Sequence, residues 1–303
     1  ESSEKWKGDV GNAPEGLLYA PTRIYFELTR ECNLRCVHCF NSSAKPISGE
    51  MNTEEMMQCL EGLSKDNIFD LRFTGGELTV RTGWFDVLKS AKDLGFTVSA
   101  NTNGVYKNFD ETINKLVSLD LDQITVSIDG NKEHHESIRG KNTFDKSMRT
   151  LQILKEAGAK LRTNTVITNL SLEDAEEIVS IMFFGELAMV VNSTINNKFG
   201  LKLGGPDGFT RFNLLADGSV WAGGYVPYID PKLNLGNVKN ENFSLLNIWR
   251  NSPILNYFRE WSGSLVERCL TCVEFEKRCP GVNVEMELIR KNSPQIGNPY
   301  CIY

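Results

Sequence analysis

Segments of two kinds alternate along the chain from residue 23 to about residue 184. Short stretches rich in β-branched and aromatic residues are typical of buried strands, and the stretches between them have a helical pattern. The predicted strands are 23–29, Asp70–Thr74, Thr97–Asn101, Gln123–Ile128 and Leu161–Thr168. The predicted helices are Thr53–Ser64, Trp84–Leu94, Asp110–Leu119, Phe144–Ala157 and Leu172–Met182.

Capping signals support several of these helix boundaries. Asn52-Thr53-Glu54-Glu55 and Ser171-Leu172-Glu173-Asp174 each resemble an N-cap followed by acidic first-turn residues, and Gly95 and Gly158 stand where helices should end. Repeated β–α units predict a parallel sheet with right-handed crossovers. Five units, with a sixth strand expected between 183 and 209, favour an α/β fold, a partial (β/α)6 TIM-like barrel. Functional groups should gather at the C-terminal ends of its strands.

The pattern changes after Phe209. Two short apolar segments, Phe212–Leu215 and Ser219–Trp221, flank Asp217-Gly218, which predicts a β-hairpin, and a helix is expected over Leu245–Trp261. Four cysteines follow, at positions 269, 272, 279 and 301. We therefore predict an N-terminal extension (1–22), a partial barrel (23–208) and a small metal-stapled C-terminal domain built of a hairpin and a helix (209–303).

Composition narrows the class of protein. The 303 residues are 41% hydrophobic and 24% charged, which is ordinary for a globular protein, and the net charge of −6 argues against nucleic-acid binding. No apolar run reaches the roughly 18 residues of a membrane span, and no signal peptide is evident. We expect a soluble, cytoplasmic protein without membrane contact. Its eight cysteines are clustered, and clustered cysteines in such a protein indicate metal rather than disulfides.

Cys32, Cys36 and Cys39 lie in one tight loop directly after the first predicted strand. Thiolates at such spacings can surround one face of a metal centre, and soft sulfur ligands favour zinc, copper or iron–sulfur. Three ligands on a [4Fe–4S] cube leave one iron open to a substrate or cofactor. The alternative is a structural zinc site completed by His38 or by a distant ligand.

Glycines and polar residues stand at the ends of the next four predicted strands. They are Thr74-Gly75-Gly76-Glu77, then Asn101-Thr102-Asn103-Gly104, then Ser127-Ile128-Asp129-Gly130 with Arg139 nearby, and finally Thr163-Asn164-Thr165-Val166. Taken alone, a Gly-Gly pair is only a turn signal and an exposed arginine is only a surface residue. All four motifs fall at the edge of the sheet where a site is expected.

Together with the C-x3-C-x2-C triplet, these motifs resemble those of the radical SAM superfamily. The resemblance implies that Cys32, Cys36 and Cys39 bind a [4Fe–4S] cluster whose free iron chelates S-adenosylmethionine. Reductive cleavage of that cofactor gives a 5′-deoxyadenosyl radical, which abstracts hydrogen from a substrate. His38 takes the place of the aromatic residue that precedes the third cysteine in this family.

The resemblance also implies contacts with S-adenosylmethionine. Gly75 and Gly76 would let backbone approach its methionine moiety, and Glu77 would pair with its ammonium. Asn103 would reach the ribose or the substrate. Ser127 and Arg139 match positions that bind the methionine carboxylate, and Asn164 and Val166 match those that contact ribose and adenine. No motif marks a catalytic acid or base.

The C-terminal cysteines do not define their metal by spacing alone, since zinc and iron–sulfur are equally compatible. Beside a radical SAM barrel they resemble the SPASM or twitch extension, which holds auxiliary clusters. The chain departs from the full SPASM pattern around Ala222-Gly223-Gly224 and near Asn283, where cysteines are expected. We therefore predict one auxiliary [4Fe–4S] cluster, fully ligated by Cys269, Cys272, Cys279 and Cys301.

The resemblance favours maturation of a ribosomally synthesised peptide, beginning with hydrogen abstraction and leading to a cross-link, an epimerisation or a rearrangement. Alternatives are dehydrogenation or rearrangement of a small molecule, sulfatase-maturase-like oxidation of a protein residue, and a zinc-stapled binding module. Expected partners are the peptide, a separate leader-recognition protein, and a reductant such as flavodoxin or ferredoxin. Cys59 is expected to be a buried small hydrophobe and His134-His135 to lie on a surface loop.

Overall fold

The computed structural model describes residues 18–166 and 208–259, together with residues 273 and 288. These described residues divide into two compact units. The larger consists of residues 23–166 with 214–218, and the smaller of residues 18–22, 208–213 and 219–259. The larger unit begins at Arg23; the predicted start of the barrel at residue 23 stays a prediction. The boundary at 208–209 stays a prediction, because it adjoins a stretch outside the described residues.

Five parallel strands form the sheet of the larger unit, in the order β5-β4-β3-β2-β1. Because consecutive strands are parallel, their C-terminal ends meet at one edge. Apolar side chains such as Ile24, Phe26, Leu71 and Phe73 are fully buried. The strands are β1 (Arg23–Glu27), β2 (Asp70–Thr74), β3 (Thr97–Thr102), β4 (Gln123–Ser127) and β5 (Leu161–Asn164).

Helices connect these strands, which confirms the predicted α/β class with a parallel sheet. They are α1 (Thr53–Lys65), α2 (Trp84–Asp93), α3 (Phe109–Ser118), α4 (Lys132–Arg139) and α5 (Phe144–Glu156), with a 3-10 turn at Leu78–Val80. The predicted helix Leu172–Met182 and the expected sixth strand lie outside the described residues.

The predicted capping signal of α1 is confirmed. The Glu55 N–H donates to Asn52 Oδ1 at 2.9 Å, and the Asn52 N–H donates to Glu55 Oε2 at 2.9 Å. The two bonds satisfy backbone donors that a helix start would otherwise leave unpaired. Gly95 and Gly158, just past α2 and α5, have positive φ angles of 86° and 78°, as expected at helix ends.

Helix α4 was missed, and its His134-His135 pair was wrongly assigned to a surface loop. The sequence of α4 is strongly polar, so it has little apolar periodicity. Its buried face consists of His135 and Ile138, three positions apart, and Asn131 caps it by accepting the His134 N–H at 3.0 Å. Cys59, in α1, is fully buried as predicted.

The strands and helices that follow the barrel strands belong to the smaller unit, except for Leu214, which ends the first of these strands, and the turn after it to Gly218. Strands β6 (Arg211–Leu214), β7 (Ser219–Trp221) and β8 (Gly236–Asn237) are neighbours in that order, and β8 is antiparallel to β7. Gly218 has a φ of 86° in the turn between β6 and β7, where the hairpin was predicted. Its helices are α6 (Val226–Ile229), α7 (Leu246–Asn251) and α8 (Pro253–Arg259).

The predicted single helix Leu245–Trp261 is interrupted at Ser252, the residue before Pro253. Proline lacks an N–H and disfavours helical backbone at the preceding residue, so α7 ends there and α8 begins at the proline. Trp249 of α7 packs edge-on against Phe212 with ring centroids 5.0 Å apart. No helix in the described stretches is long and apolar enough to cross a membrane.

Candidate active site

The segment 30–47, which we call the cysteine loop, leaves the C-terminal end of β1 and carries Cys32, Cys36 and Cys39. Glu50 holds its two ends together, because Glu50 Oε1 accepts the N–H groups of Arg30 at 2.7 Å and Ile47 at 3.0 Å. Glu27, which is 4% exposed, pairs with Arg30 at 3.1 Å. Two buried or partly buried carboxylates thus fix the base of the loop.

The three thiols are free and partly exposed. Two backbone N–H groups point at their sulfur atoms: Leu34 N–H at 3.4 Å from Cys32 Sγ, and Ser43 N–H at 3.4 Å from Cys39 Sγ. Donors of this kind stabilise thiolates and are found around iron–sulfur clusters. Within the described residues, no three Cys, His, Asp or Glu side chains converge on a point that one metal ion could occupy. In a cube each thiolate binds a different iron, so such convergence is not required.

The electrostatics of the loop disfavour free thiolates. Burial is the largest cause that raises the pKa of the Cys32 thiol to about 11, and Cys36 and Cys39 raise it further. Burial also raises the pKa of Cys36, against the opposing effect of Arg139. Neighbouring thiols do not readily ionise side by side, because their negative charges repel. They lose their protons when a cationic metal centre compensates that charge. The donor set therefore fits an iron–sulfur cluster.

Gly75 and Gly76, after β2, allow close contact with the start of the cysteine loop. The N–H groups of Gly76 and Glu77 donate to the carbonyls of Thr29 at 2.8 Å and Glu31 at 2.9 Å. A Cβ on Gly75 would lie 2.6 Å from the Thr29 oxygen, and one on Gly76 only 2.1 Å from the Glu31 oxygen. Both glycines are needed for this backbone packing, and their contact with the methionine moiety stays a prediction.

Glu77 is fully buried, and its carboxylate already has protein partners. It accepts hydrogen bonds from the Asn103 N–H at 2.7 Å, from the Thr102 hydroxyl at 3.0 Å and from the Thr79 hydroxyl at 2.8 Å. Burial raises the pKa of its carboxyl group, and these hydrogen bonds oppose that effect. Glu77 therefore ties the ends of β2 and β3 together; its predicted pairing with an ammonium stays a prediction.

Asn103 connects the end of β3 to the cysteine loop. Its side chain donates to Asn33 Oδ1 at 2.8 Å and accepts the Val105 N–H at 2.8 Å. Asn33 Nδ2 donates to the Val105 carbonyl at 2.6 Å. These bonds lock the β3 end beside Cys32, and the predicted ribose contact of Asn103 stays a prediction.

Asp129, after β4, forms the centre of an ionic network on the other side of the loop. It is fully buried, and its Oδ2 lies 2.5 Å from Arg139 Nε and 3.3 Å from His38 Nε2. Its Oδ1 accepts the Val166 N–H at 2.9 Å. Burial lowers the pKa of His38, although Asp129 opposes that shift. The Val37 N–H also donates to the Ile138 carbonyl at 3.0 Å, so α4 holds the loop directly.

The remaining predicted contacts lie along the same edge. Ser127 ends β4 and is partly exposed, and Asn164 ends β5 and is exposed. The Ile128 N–H donates to the Asn164 carbonyl at 3.0 Å. The described residues thus bring His38, Ser127, Arg139, Asn164 and Val166 to one side of the sheet edge, and their contacts with S-adenosylmethionine stay predictions. The cysteines at 269, 272, 279 and 301 lie outside the described residues.

A cleft of about 420 Å³ borders Cys32. It lies between the cysteine loop, the turn after β2 and the start of α3, so one wall is formed by a predicted cluster ligand. Trp84, Val80 and Val105 supply its apolar part. The other lining residues are mainly polar: Glu31, Asn33, Thr79, Lys107, Asn108, Glu111, Thr112 and Lys115.

Sequence reasoning assigned no role to Asp129, Asn33, Glu50 or His135. Asp129 and Asn33 stand inside motifs that were recognised, which was an available signal. Glu50 and His135 had no such signal, since a lone carboxylate near a helix start and a histidine in a polar segment are both common surface features.

Comparison with known proteins identifies the class. The model of the radical SAM superfamily matches residues 26–184, which is more than half of the chain. This chain therefore belongs to the radical SAM superfamily. That family carries a [4Fe–4S] cluster and uses S-adenosylmethionine, in keeping with the cysteine loop described above.

Relatives and solved structures of known function are also similar. Mycofactocin maturase MftC of Mycolicibacterium smegmatis is 32% identical over 166 residues, 54% of this chain and 42% of the relative. The sporulation killing factor maturation protein SkfB of Bacillus subtilis is 30% identical over 162 residues, 53% of this chain and 39% of the relative. The AdoMet-dependent heme synthase of Methanosarcina barkeri is 32% identical over 158 residues, 51% and 45% of the two chains.

The fold resembles that of Streptococcus suis SuiB bound to the precursor peptide SuiA, with a TM-score of 0.73 and 15% identity over 94% of this chain and 76% of SuiB. At that identity the likeness shows the fold alone. The chain spans less than half the length of the curated relatives named above.

Proposed function

We propose that this chain is a radical SAM maturase of a ribosomally synthesised peptide, which abstracts hydrogen from a peptide residue. The observation that carries the chemistry is the cysteine loop, held on both sides by buried polar networks at the C-terminal edge of a parallel sheet. The peptide substrate rests on similarity to MftC and SkfB, both named as maturation enzymes, and on the shared fold with SuiB, solved with its precursor peptide.

In this proposal, Cys32, Cys36 and Cys39 hold a [4Fe–4S] cluster with one open iron. The bound cluster, once reduced, supplies the electron that cleaves S-adenosylmethionine to the 5′-deoxyadenosyl radical. The chain's own residues orient the components: Glu50 and Glu27 fix the base of the loop, and Glu77 and Asn103 fix the side next to Cys32. Asp129 holds Arg139 and His38 beside Cys36 and Cys39, where Arg139 supplies positive charge for an anionic group.

The test is anaerobic reconstitution with iron and sulfide, followed by an assay for 5′-deoxyadenosine with a low-potential reductant. We expect the Cys39→Ala variant to form no 5′-deoxyadenosine and to lack the iron of the cluster assigned to Cys32, Cys36 and Cys39. The matched control is Cys59→Ala, which changes a fully buried cysteine outside the loop and should retain both. If the unmodified protein yielded no 5′-deoxyadenosine under these conditions, the enzyme reading would fail and a zinc-stapled binding module would replace it.

A small-molecule substrate is the second candidate, and the similarity to the heme synthase favours it. Mass spectrometry of reactions with peptides encoded near the gene separates the two candidates. A mass change in a peptide that depends on S-adenosylmethionine supports maturation. Turnover of porphyrins or other small molecules, with every peptide unchanged, supports the alternative.

We further propose one auxiliary [4Fe–4S] cluster on Cys269, Cys272, Cys279 and Cys301. The support is the spacing of these residues and their match to the SPASM-like pattern. Four thiols would leave no open iron, so this cluster would serve electron transfer or stability rather than substrate binding. Mössbauer spectroscopy of a Cys269→Ala variant should show the loss of four iron atoms, with the signal of the other cluster retained.

We propose a cytoplasmic location, a flavodoxin- or ferredoxin-type reductant, and a separate leader-recognition partner. The clustering of the cysteines in two metal-binding patterns supports a reducing compartment, where cysteines stay available for metal. Reconstitution of activity by a purified flavodoxin would test the reductant. Co-purification of the chain with a leader peptide, only when the recognition protein is present, would test that partner.

A further inference from the structure

The side chain of Asn103 has an orientation that its hydrogen bonds determine. It is 6% exposed, and its Oδ1 accepts the Val105 N–H at 2.8 Å. A flipped amide would place NH2 against that N–H, so Nδ2 must face the cysteine loop. There it lies 2.8 Å from Asn33 Oδ1 and 3.9 Å from Cys32 Sγ.

An amide nitrogen carries two hydrogens, and Asn33 Oδ1 uses one of them. We propose that Asn103 is a positioning residue whose second N–H donates to Cys32 Sγ and raises the reduction potential of the cluster bound there. This inference rests on the cluster assignment in the proposed function, but not on the peptide substrate.

The surroundings of Asn103 hold this donor in place. Its backbone N–H donates to Glu77 Oε2 at 2.7 Å, and its carbonyl accepts the Ser147 hydroxyl at 2.7 Å. Asn33 is oriented as well, since its Nδ2 donates to the Val105 carbonyl. Asn33 therefore presents an oxygen, not a donor, 3.9 Å from Cys32 Sγ. Among the residues that the structure describes, the side-chain hydrogen bond to this sulfur comes from Asn103.

Hydrogen bonds to cluster sulfurs are one of the means by which a protein sets the cluster potential. Reduction adds negative charge, which a donor at sulfur stabilises, so loss of the donor makes reduction harder. The Leu34 and Ser43 N–H groups do the same from the backbone and persist when side chains change. Asn103 is the donor that substitution can remove.

The experiment compares Asn103→Ser and Asn103→Asp with the control Asn108→Ser. A serine hydroxyl can still accept the Val105 N–H, but it is too short to donate to Cys32 Sγ. Asn108 is exposed in the same loop, and its amide bonds Glu111 at 3.4 Å rather than sulfur. The readout is the midpoint potential from an EPR-monitored titration without peptide. The titration follows the part of the signal that changes when S-adenosylmethionine is added.

For Asn103→Ser we expect the reduced-to-oxidised ratio at fixed potential to fall by up to about tenfold, as for one charge-assisted hydrogen bond. Asn103→Asp should lower it further, because an anion replaces the donor, and Asn108→Ser should match the unmodified protein. A fully loaded Asn103→Ser with an unchanged midpoint would overturn the inference. Failure of the proposed function looks different: the unmodified protein would then hold no cluster that responds to S-adenosylmethionine.

A measurement on the unmodified protein guards against variants that fail to fold. Asparagine labelled with 15N at its side-chain amide should give a nuclear coupling to the unpaired electron of the reduced cluster. Absence of any such coupling would also overturn the inference.

Discussion

The two sides of the cysteine loop are held by different kinds of polar chemistry. On the β2–β3 side, next to Cys32, Asn33 and Asn103 join through neutral amides, and the buried carboxyl group of Glu77 accepts the Asn103 N–H. On the β4 side, Asp129 gathers Arg139 and His38 into an ionic centre. The first network fixes the orientation of the side chains beside Cys32, and the second holds charged side chains beside the loop.

This difference bears on what each side contributes. Amide hydrogen bonds depend on geometry and are little affected by salt, so the β2–β3 side can hold Cys32, a predicted cluster ligand, in one position. A buried ion pair depends on both partners, since removal of one leaves the other charge uncompensated. Burial raises the pKa of Cys36 and Arg139 opposes that rise, so the β4 side influences the charge of this thiol as well as its position.

Asp129→Asn should have the largest effect, because it leaves Arg139, whose side chain is 9% exposed, without its carboxylate partner. We expect a loss of about 3 kcal/mol in the free energy of unfolding, as for other broken buried pairs. Denaturant titration of the metal-free protein measures it. The control Asp122→Asn breaks a pair with Lys92 that is partly exposed, and should cost below about 1 kcal/mol. Equal losses would mean that the β4 centre is no stronger than a surface pair.

Gly76→Ala comes next and tests the backbone contact on the β2–β3 side. Its Cβ would meet the Glu31 carbonyl oxygen at 2.1 Å, so the loop must move. The hydrogen bonds from the Gly76 and Glu77 N–H groups to the loop must then lengthen. Overpacking of this kind costs about 2 kcal/mol. Gly224→Ala is the matched control, since among the described residues its Cβ meets only Asn213 Oδ1, at 3.5 Å. Comparable stability of the two variants, with full cluster loading in both, would show that the contact is not needed.

Glu77→Gln should cost less, about 1–2 kcal/mol, because it removes one acceptor and adds a donor where several N–H and O–H groups already point. The unfolding free energy of the metal-free protein again gives the value. Glu111→Gln changes an exposed glutamate and should be within about 0.5 kcal/mol of the unmodified protein. A larger loss for Glu77→Gln than for Asp129→Asn would reverse the ranking of the two sides.

Local signals predicted the frame that carries both networks. Strand β2 was predicted with its observed bounds, and the capping box of α1 was visible because its donors and acceptors are three residues apart. Helix α4 escaped prediction because only His135 and Ile138 mark its buried face. The break between α7 and α8 follows from Pro253, a local helix-breaking signal inside an apolar pattern that predicts one continuous helix.

The networks themselves could not be predicted in the same way. Asp129 meets His38, and Asn103 meets Asn33, only because parallel strands bring their C-terminal ends together. The periodicity of the chain places these residues at one edge but does not determine which side chains pair. The motifs suggested that Glu77 and Asn103 face a ligand, and the structure adds that their polar atoms also bond other protein groups.

The smallest expected effect is on the pH dependence of stability and concerns His135 of α4. This uncharged histidine supports the β4 side through Asp129. Its Nδ1 accepts the Asp129 N–H at 3.1 Å, and burial lowers its pKa to about 4. Above pH 6.5 the histidine is neutral in both folded and unfolded chains, so it adds no pH dependence. Below pH 6.5 the unfolded chain binds a proton that the folded chain refuses, so stability falls as the pH drops towards 4.

We expect this histidine to account for part of the stability lost over that range. His135→Asn keeps an acceptor near the position of Nδ1 but cannot titrate, so its melting temperature should fall less steeply between pH 6.5 and 4.5. His134→Asn changes the partly buried neighbour and should retain the slope of the unmodified protein. If His135→Asn kept the full slope, other groups of the fold would have to carry the acid sensitivity, and His135 would support Asp129 through packing alone.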